Sequence, residues 1–209
     1  MTGDCIENFS NGIDEELRLH KYLIAALKKI GSMIYTNDVV IIYEHKRKNL
    51  VNSPASIVYA SQENLKDILN FQDKHYLKKF QKFMENGDRG YLAYLDGKCV
   101  HRSWVIQNPG ERVRVHRYLG FRLRNNEVYI HYCETSKNAR GKNIYPAVLN
   151  KIAEDYPDKK IIISTNEHNI ASRRGIEKAG FDETARAKIL VMLGMVFRFY
   201  TNKNRYEFN

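Results

Sequence analysis

The stretch Thr135-Ser136-Lys137-Asn138-Ala139-Arg140-Gly141-Lys142-Asn143-Ile144-Tyr145-Pro146 is the part of this sequence best equipped for chemistry. It joins an apolar, strand-like run at residues 128–133 to a segment of helical period. A short loop with many free backbone N–H groups, with Arg140 and Lys142 in it and a helix directly after it, is built to hold phosphates. The first helical N–H groups have no internal partner, and the helix dipole favours negative charge there. Pro146 suits the first turn, where its missing N–H costs no helical bond. A polyanionic cofactor is the first expectation.

The elements around this loop must position it. Residues 14–30 carry Leu19, Leu23, Leu27 and Ile30 on one helical face, with Asp14 as cap and Gly31 as stop. Residues 39–43 are a β-branched strand, and a polar connector closed by Pro54 follows. This divides the chain into a helix-and-strand extension, residues 1–53, and a main domain, residues 54–209. In the main domain, residues 56–60 read as a short strand and residues 63–85 as two helices. Residues 90–95 and 98–107 read as two strands joined by the hairpin turn Asp96-Gly97. Residues 112–124 are basic and fit either strand or loop. A strand (128–135), a helix (144–154), the apolar strand around Ile161-Ile162-Ile163, a helix (168–179) and one or two strands (188–201) complete the order. Strand, helix, apolar strand, helix implies a βαβ crossover and parallel pairing inside a mixed sheet. The fold class is therefore α/β.

At 209 residues, 43% hydrophobic and 28% charged, the chain can bury a full core and is too apolar for disorder. Its net charge of +10 favours anionic partners, yet the basic residues are spread along the sequence. The fourteen tyrosines and nine phenylalanines are interleaved at core spacings, so nucleic acid is not the expected partner, although the charge keeps it in view. Cys5, Cys99 and Cys133 form no Cys-x-x-Cys pair, which argues against a metal site or a disulfide framework. Reduced thiols, a first few residues unlike a signal peptide, and no apolar run of ~20 residues make a cytoplasmic protein without a membrane span the expectation. A homodimer is compatible with all of this.

Two segments resemble a known family. Arg140-Gly141-Lys142-Asn143-Ile144-Tyr145 is similar to the acyl-CoA pyrophosphate loop of GNAT-type N-acetyltransferases, Arg/Gln-x-x-Gly-x-Gly/Ala at a strand-to-helix junction. Asn169-Ile170-Ala171-Ser172-Arg173-Arg174-Gly175-Ile176-Glu177-Lys178-Ala179-Gly180-Phe181 resembles the second signature of that family, Asn-x-x-Ala/Ser followed by a helix closing with Glu-Lys-x-Gly-Phe. The two are correctly ordered and separated by one apolar strand. The resemblance implies a GNAT-like fold: a central twisted mixed sheet with a splayed parallel strand pair and flanking helices. It implies acetyl-CoA as cofactor and an amine as acceptor. Backbone groups of Cys133, Glu134 and Thr135 would pair with the pantetheine arm. N–H groups of Gly141, Lys142, Asn143, Ile144 and Tyr145 would carry the pyrophosphate, with Arg140 adding charge. Asn169, with Ser172 in the same helix turn, would contact the cofactor from the next helix. Three residues depart from the family pattern. Asn143 stands where Gly is usual, Tyr145 replaces a small residue and would narrow the phosphate pocket, and Ile176 occupies the place of a Tyr that reprotonates the CoA thiolate.

Transfer to an amine needs that amine neutral, so a base titrating near working pH is wanted. His131 is the first choice, since imidazole ordinarily titrates near pH ~6.5. Alternation puts it on one strand face with Tyr129 and Cys133, although a half-buried structural histidine is the competing reading. Glu127, on the same face nearer the strand start, is the second choice, and Glu134 the third. Tyr129 and Tyr132 can donate a proton or simply pack. The cluster His101-Arg102-Ser103-Trp104 lies on the strand opposite the expected acceptor side, where Trp104 walls a pocket or, as a lone strand Trp more often does, joins the core. The acceptor expected is a small amine, such as an amino sugar or an amino-acid-derived metabolite. A protein or charged-tRNA amine, or a non-catalytic CoA-binding module, are the alternatives.

Overall fold

The computed structural model describes residues 35–201 together with Tyr22 and Gly31. The expected helix at residues 14–30 lies outside the described residues. In chain order the strands are β1 (Tyr35–His45), β2 (Ser56–Tyr59), β3 (Arg89–Leu95), β4 (Lys98–Ile106), β5 (Arg112–His116), β6 (Leu119–Arg122), β7 (Glu127–Thr135), β8 (Lys160–Asn166), β9 (Phe181–Met192) and β10 (Met195–Thr201). A 3-10 helix (Leu65–Asn70) and helix α1 (His75–Glu85) connect β2 to β3. Helices α2 (Ile144–Asp155) and α3 (Ile170–Lys178) flank β8 in sequence.

Among the described residues the chain divides into two compact units, one with residues 35–38 and 188–199 and the other with residues 39–187 and 200–201. In the first, the outer part of β9 turns through Leu193 and Gly194, both at positive φ, into β10. The second holds the sheet that matters for the site. Its strand order is β9-β1-β8-β7-β4-β3-β2. Every registered pair is antiparallel except β7 with β8, the parallel pair that α2 connects. The expected crossover is thus present. The boundary placed at residue 54 comes after β1, whose residues 40–44 already pair with β8 inside this sheet.

Alternation sorts the strand residues onto two faces. Ile41, Tyr43, Val128, Ile130, Ile161 and Ile163 pack with Val148, Leu149 and Ile152 of α2 and Ile176 of α3. Ile42, Tyr129 and Ile162 face the other way, against Val113, Phe121 and Leu123. Those last three come from residues 112–124, which form the β5–β6 hairpin, a small sheet laid over the large one. A third cluster joins Phe80 of α1 to Leu92, Cys99 and the fully buried Trp104. Trp104 is therefore core. Gly90 is required beside it, because a Cβ there would stand 2.8 Å from the indole and 2.6 Å from the Ala60 Cβ. Each such side chain, fully buried, contributes about 1.5–3 kcal/mol, so the isoleucines of β8 alone anchor the middle of the sheet firmly.

Candidate active site

Strand β7 loses one neighbour half-way along. Residues 127–130 pair with residues 160–163 of β8, and there the parallel ladder stops although both strands run on. Beyond Ile130 the β8-facing backbone of β7 is open, a ready edge for an extended ligand. On its other side β7 stays paired to β4, but with a bulge. Arg102 faces Glu134 and Trp104 faces His131, so Tyr132 and Cys133 together oppose Ser103 alone. Tyr132 takes φ +48, the left-handed backbone that lets the extra residue fit. The buried Arg102 pins the bulge: it donates to the Tyr132 carbonyl, to Glu134 Oε2 at 2.9 Å and to Gln72 Oε1 at 2.8 Å, over the Phe80 ring.

The bulge corrects one expectation. His131 and Tyr129 share a face, but Cys133 does not join them; the extra residue turns it to the α2 and α3 side, with Val128 and Ile130. There it lines a cleft of about 420 Å³ with His101, Thr135, the Arg140–Tyr145 loop and α3. The thiol is pushed up to about 11 by burial, with hydrogen bonds from Ser103 and Tyr145 pulling the other way. His101, fully buried, bridges Thr135 Oγ1 at 2.7 Å and Ser103 Oγ at 2.8 Å. Burial, then the Arg102 charge, lowers it to about 3, so it is neutral.

Of the eleven residues expected around a cofactor, ten line this cleft: Cys133, Glu134, Thr135, Arg140, Gly141, Asn143, Ile144, Tyr145, Asn169 and Ser172. Lys142 is exposed and outside the lining. The loop fits an anionic group. Among the described residues the amides of Gly141, Lys142 and Asn143 donate to no backbone carbonyl, and they lead straight into the first turn of α2. Gly141 has φ +80 and open space where a side chain would be. Asn143 takes the left-handed conformation at φ 57, as an Asn in a glycine position can. Its side chain is held by Lys178 Nζ at 2.8 Å and bonds to the Asn52 carbonyl at 3.2 Å. Arg174 and Lys178 of α3 add positive charge to the lining beside Arg140.

Several side chains are committed in ways the sequence did not foretell. Glu134 serves Arg102, which leaves its backbone for a ligand. Asn169 caps α3, its Oδ1 accepting from Ser172 N at 3.1 Å. Tyr145 does not close the phosphate loop; its ring crosses to lie on Gly175, and its hydroxyl meets Ser172 Oγ at 3.5 Å. Ile176 is fully buried in the core.

On the other face, a cavity of about 360 Å³ opens where β7 and β8 part, lined by Val40, Arg114, Tyr129, His131, Ser164 and Asn166 among others. A smaller one of about 240 Å³ adjoins it, with Phe83, Asp88, Glu111, Tyr129, His131 and Tyr132. His131 lines both. Its Nε2 lies 3.1 Å from Asp88 Oδ2, and Phe83 packs on its ring at 4.8 Å. A carboxylate on Nε2 fixes the tautomer that leaves Nδ1 with its lone pair, the arrangement a base needs. Asp88 was missed because it sits at the β3 entry, far away in sequence, with no local pattern to mark it. Tyr129 donates to or accepts from Ser164 Oγ at 2.6 Å, and burial holds its phenol protonated far above neutrality. Glu127 is not brought to either cavity. Its carboxylate accepts from Arg124 N at 3.2 Å and sits 3.5 Å from Lys160, closing the turn before β7.

No family model and no curated protein matches the sequence. The fold has solved counterparts. An acetyltransferase of the GNAT family from Colwellia psychrerythraea matches with a TM-score of 0.55 and 17% identity, over 79% of this chain and 57% of its own. A functionally unknown conserved protein from Staphylococcus epidermidis ATCC 12228 matches with a TM-score of 0.54 and 13% identity, over 78% of this chain and 65% of its own. The chain thus spans 57% and 65% of the length of these two proteins. The fold is that of the GNAT-type acetyltransferases.

Proposed function

We propose that this protein is an acetyl-CoA-dependent N-acetyltransferase acting on a primary amine. The observation that carries the reading is the juxtaposition of an anion-ready loop with an open strand edge in one cleft, and of that cleft with a second cavity holding the His131–Asp88 pair. The loop from Gly141 and the start of α2 would take the pyrophosphate, while Arg140, Arg174 and Lys178 neutralise its charge. The open edge of Cys133, Glu134 and Thr135 would pair with the amide groups of the pantetheine arm. Acetyl-CoA would supply an activated acyl group. His131, oriented by Asp88, would remove the proton of the acceptor amine, and the bulge would let β7 serve both sides. Tyr129, bonded to Ser164 and buried, would wall the acceptor cavity rather than exchange protons.

The acceptor we infer is a small amine such as an amino sugar or an amino-acid-derived metabolite, because the cavity of about 360 Å³ admits a metabolite-sized group. A polymeric acceptor, protein or charged tRNA, is the second reading. Exposed arginines at 112, 114 and 122 on the hairpin beside the cavity favour it. Calorimetry with acetyl-CoA followed by thiol release over a panel of amines tests both. Ligand at 100 times its dissociation constant should add about 2.7 kcal/mol of stability. No binding at millimolar CoA would end the acetyltransferase reading.

A further inference from the structure

The reacting atoms of an acyl transfer belong where the cofactor cleft and the acceptor cavity share walls. Four residues line both: Cys133, Tyr145, Asn169 and Ser172. Sulfur leaving a thioester carries an electron pair and needs a proton from a donor at that junction. Asn169 is not an acid, and its Oδ1 already caps α3. An aliphatic hydroxyl such as that of Ser172 is too weak an acid for the task. The Cys133 thiol points back along its own strand, donating to the His131 carbonyl at 3.7 Å. Tyr145 remains, a phenol that hydrogen-bonds the Cys133 thiol and meets Ser172 Oγ at 3.5 Å, the latter contact long enough to be exchanged for a ligand.

The position of that phenol is built. A Cβ on Gly175 would stand 2.6 Å from Tyr145 Cδ1 and 3.0 Å from Cε1, so α3 presents a bare backbone for the ring to lie on. The next residue, Ile176, turns into the core and offers no proton. His101 flanks the ring at 5.7 Å between centroids. The Tyr145 backbone belongs to the first turn of α2, so a phosphate held there and the hydroxyl are positioned by one residue.

We propose that Tyr145 is the general acid of the transfer, giving its phenolic proton to the departing CoA sulfur. The proposal rests on the acetyltransferase reading above. The amine nitrogen forms a bond to the thioester carbonyl carbon and the C–S bond breaks, its electrons staying on sulfur. The Tyr145 O–H proton passes to that sulfur and yields the free thiol. The proton lost by nitrogen goes to His131 and through water back to the phenolate, so none is gained or lost overall. The titratable neighbours of the phenol are Cys133 and Tyr129, with His101 beside its ring. Burial keeps Cys133 and Tyr129 protonated and His101 neutral through the neutral pH range.

The test needs no knowledge of the acceptor. The thiolate of bound CoA is titrated by its ultraviolet absorbance, with the desulfo-CoA complex as blank, in the wild type, Tyr145→Phe and Gly175→Ala. A phenol aimed at sulfur stabilises the thiolate. Tyr145→Phe, which keeps the ring on Gly175, should bind CoA nearly as well yet raise the thiol pKa by about one unit, a tenfold loss of thiolate at fixed pH. Gly175→Ala, which pushes the ring away, should shift it in the same direction. CoA bound with the same thiol pKa in the wild type and Tyr145→Phe would overturn this assignment alone. Wild-type protein that binds no CoA would overturn the acetyltransferase reading and this proposal together.

Discussion

Residues 127–130 and 131–135 are consecutive in one strand and behave as two materials. The first four all pair with β8, Tyr129 and Ile130 pair with β4 as well, and the four bury every side chain and alternate as a strand should. The last five keep one neighbour, contain the bulge, and carry His131, Cys133, Glu134 and Thr135, all only partly buried. The difference teaches how such a site is made. Withdrawing β8 frees backbone groups for a ligand, and one inserted residue sends neighbouring side chains to opposite faces. The closed half supplies the rigidity that lets the open half remain unpaired. Disrupting either half separately should therefore give different defects.

The largest effect is expected at the open half. His131→Ala should lower turnover by roughly 10²–10⁴-fold, the usual contribution of a positioned base, once the amine panel has supplied an acceptor. Added imidazole should restore part of the rate. Asp88→Ala, which removes only the orienting carboxylate, should cost less. Near wild-type turnover in His131→Ala would leave the half-buried structural histidine as the better account of that residue.

The closed half should report through stability instead. Ile162 is fully buried between the β5–β6 hairpin and β1 neighbours, and Ile162→Ala should cost about 2–5 kcal/mol in urea denaturation. CoA affinity of the folded fraction should barely move. A large loss of affinity with little loss of stability would show that the two halves are not separable. His101 gives a finer probe from the cleft side. It is neutral when folded, held at about 3 by burial, but takes up a proton when unfolded below its ordinary value. The unfolded state then binds more protons, so the stability His101 contributes is intact above pH ~6.5 and is lost as pH falls towards 3. The wild type should lose up to about 1.4 kcal/mol per pH unit more than His101→Asn across that window. Equal slopes for the two would mean that the imidazole is not buried neutral.

The closed half was legible in the sequence and the open half only in outline. Ile161-Ile162-Ile163 announces a strand buried on both faces, and Asp96-Gly97 announces its hairpin, with φ 51 and 73. The loop around Gly141 was readable as a glycine-bearing turn into a helix because that signal is local, whereas Asn169 was read as a cofactor contact and its capping of α3 was not foreseen. The bulge was not, since nothing in His-Tyr-Cys marks which residue will take positive φ. Strict alternation therefore placed Cys133 beside His131. The start of β9 was hidden for another reason: Asp182-Glu183-Thr184 is polar, and only Phe181, Ala185 and Ala187 touch the core. Asp88 and Arg102 act through contacts remote in sequence, with His131 and Glu134 respectively. Spacing carries no trace of such pairs.

The smallest effect tests the outer rim of the cleft. Arg140 is exposed, and its Nε donates to the Thr135 carbonyl at 3.3 Å, so its guanidinium keeps other N–H groups for a phosphate. An exposed charge pair is worth about 0.2–1 kcal/mol. Arg140→Ala should therefore raise the KM for acetyl-CoA only about two- to fivefold, and less at high salt, where the wild-type contact is already screened. Turnover at saturation should be unchanged, because a contact remote from the thioester binds ground and transition states alike. An effect on kcat with KM constant would move Arg140 from the rim of the cleft to its chemistry. An unchanged KM at low salt would leave the phosphate to the loop amides, Arg174 and Lys178.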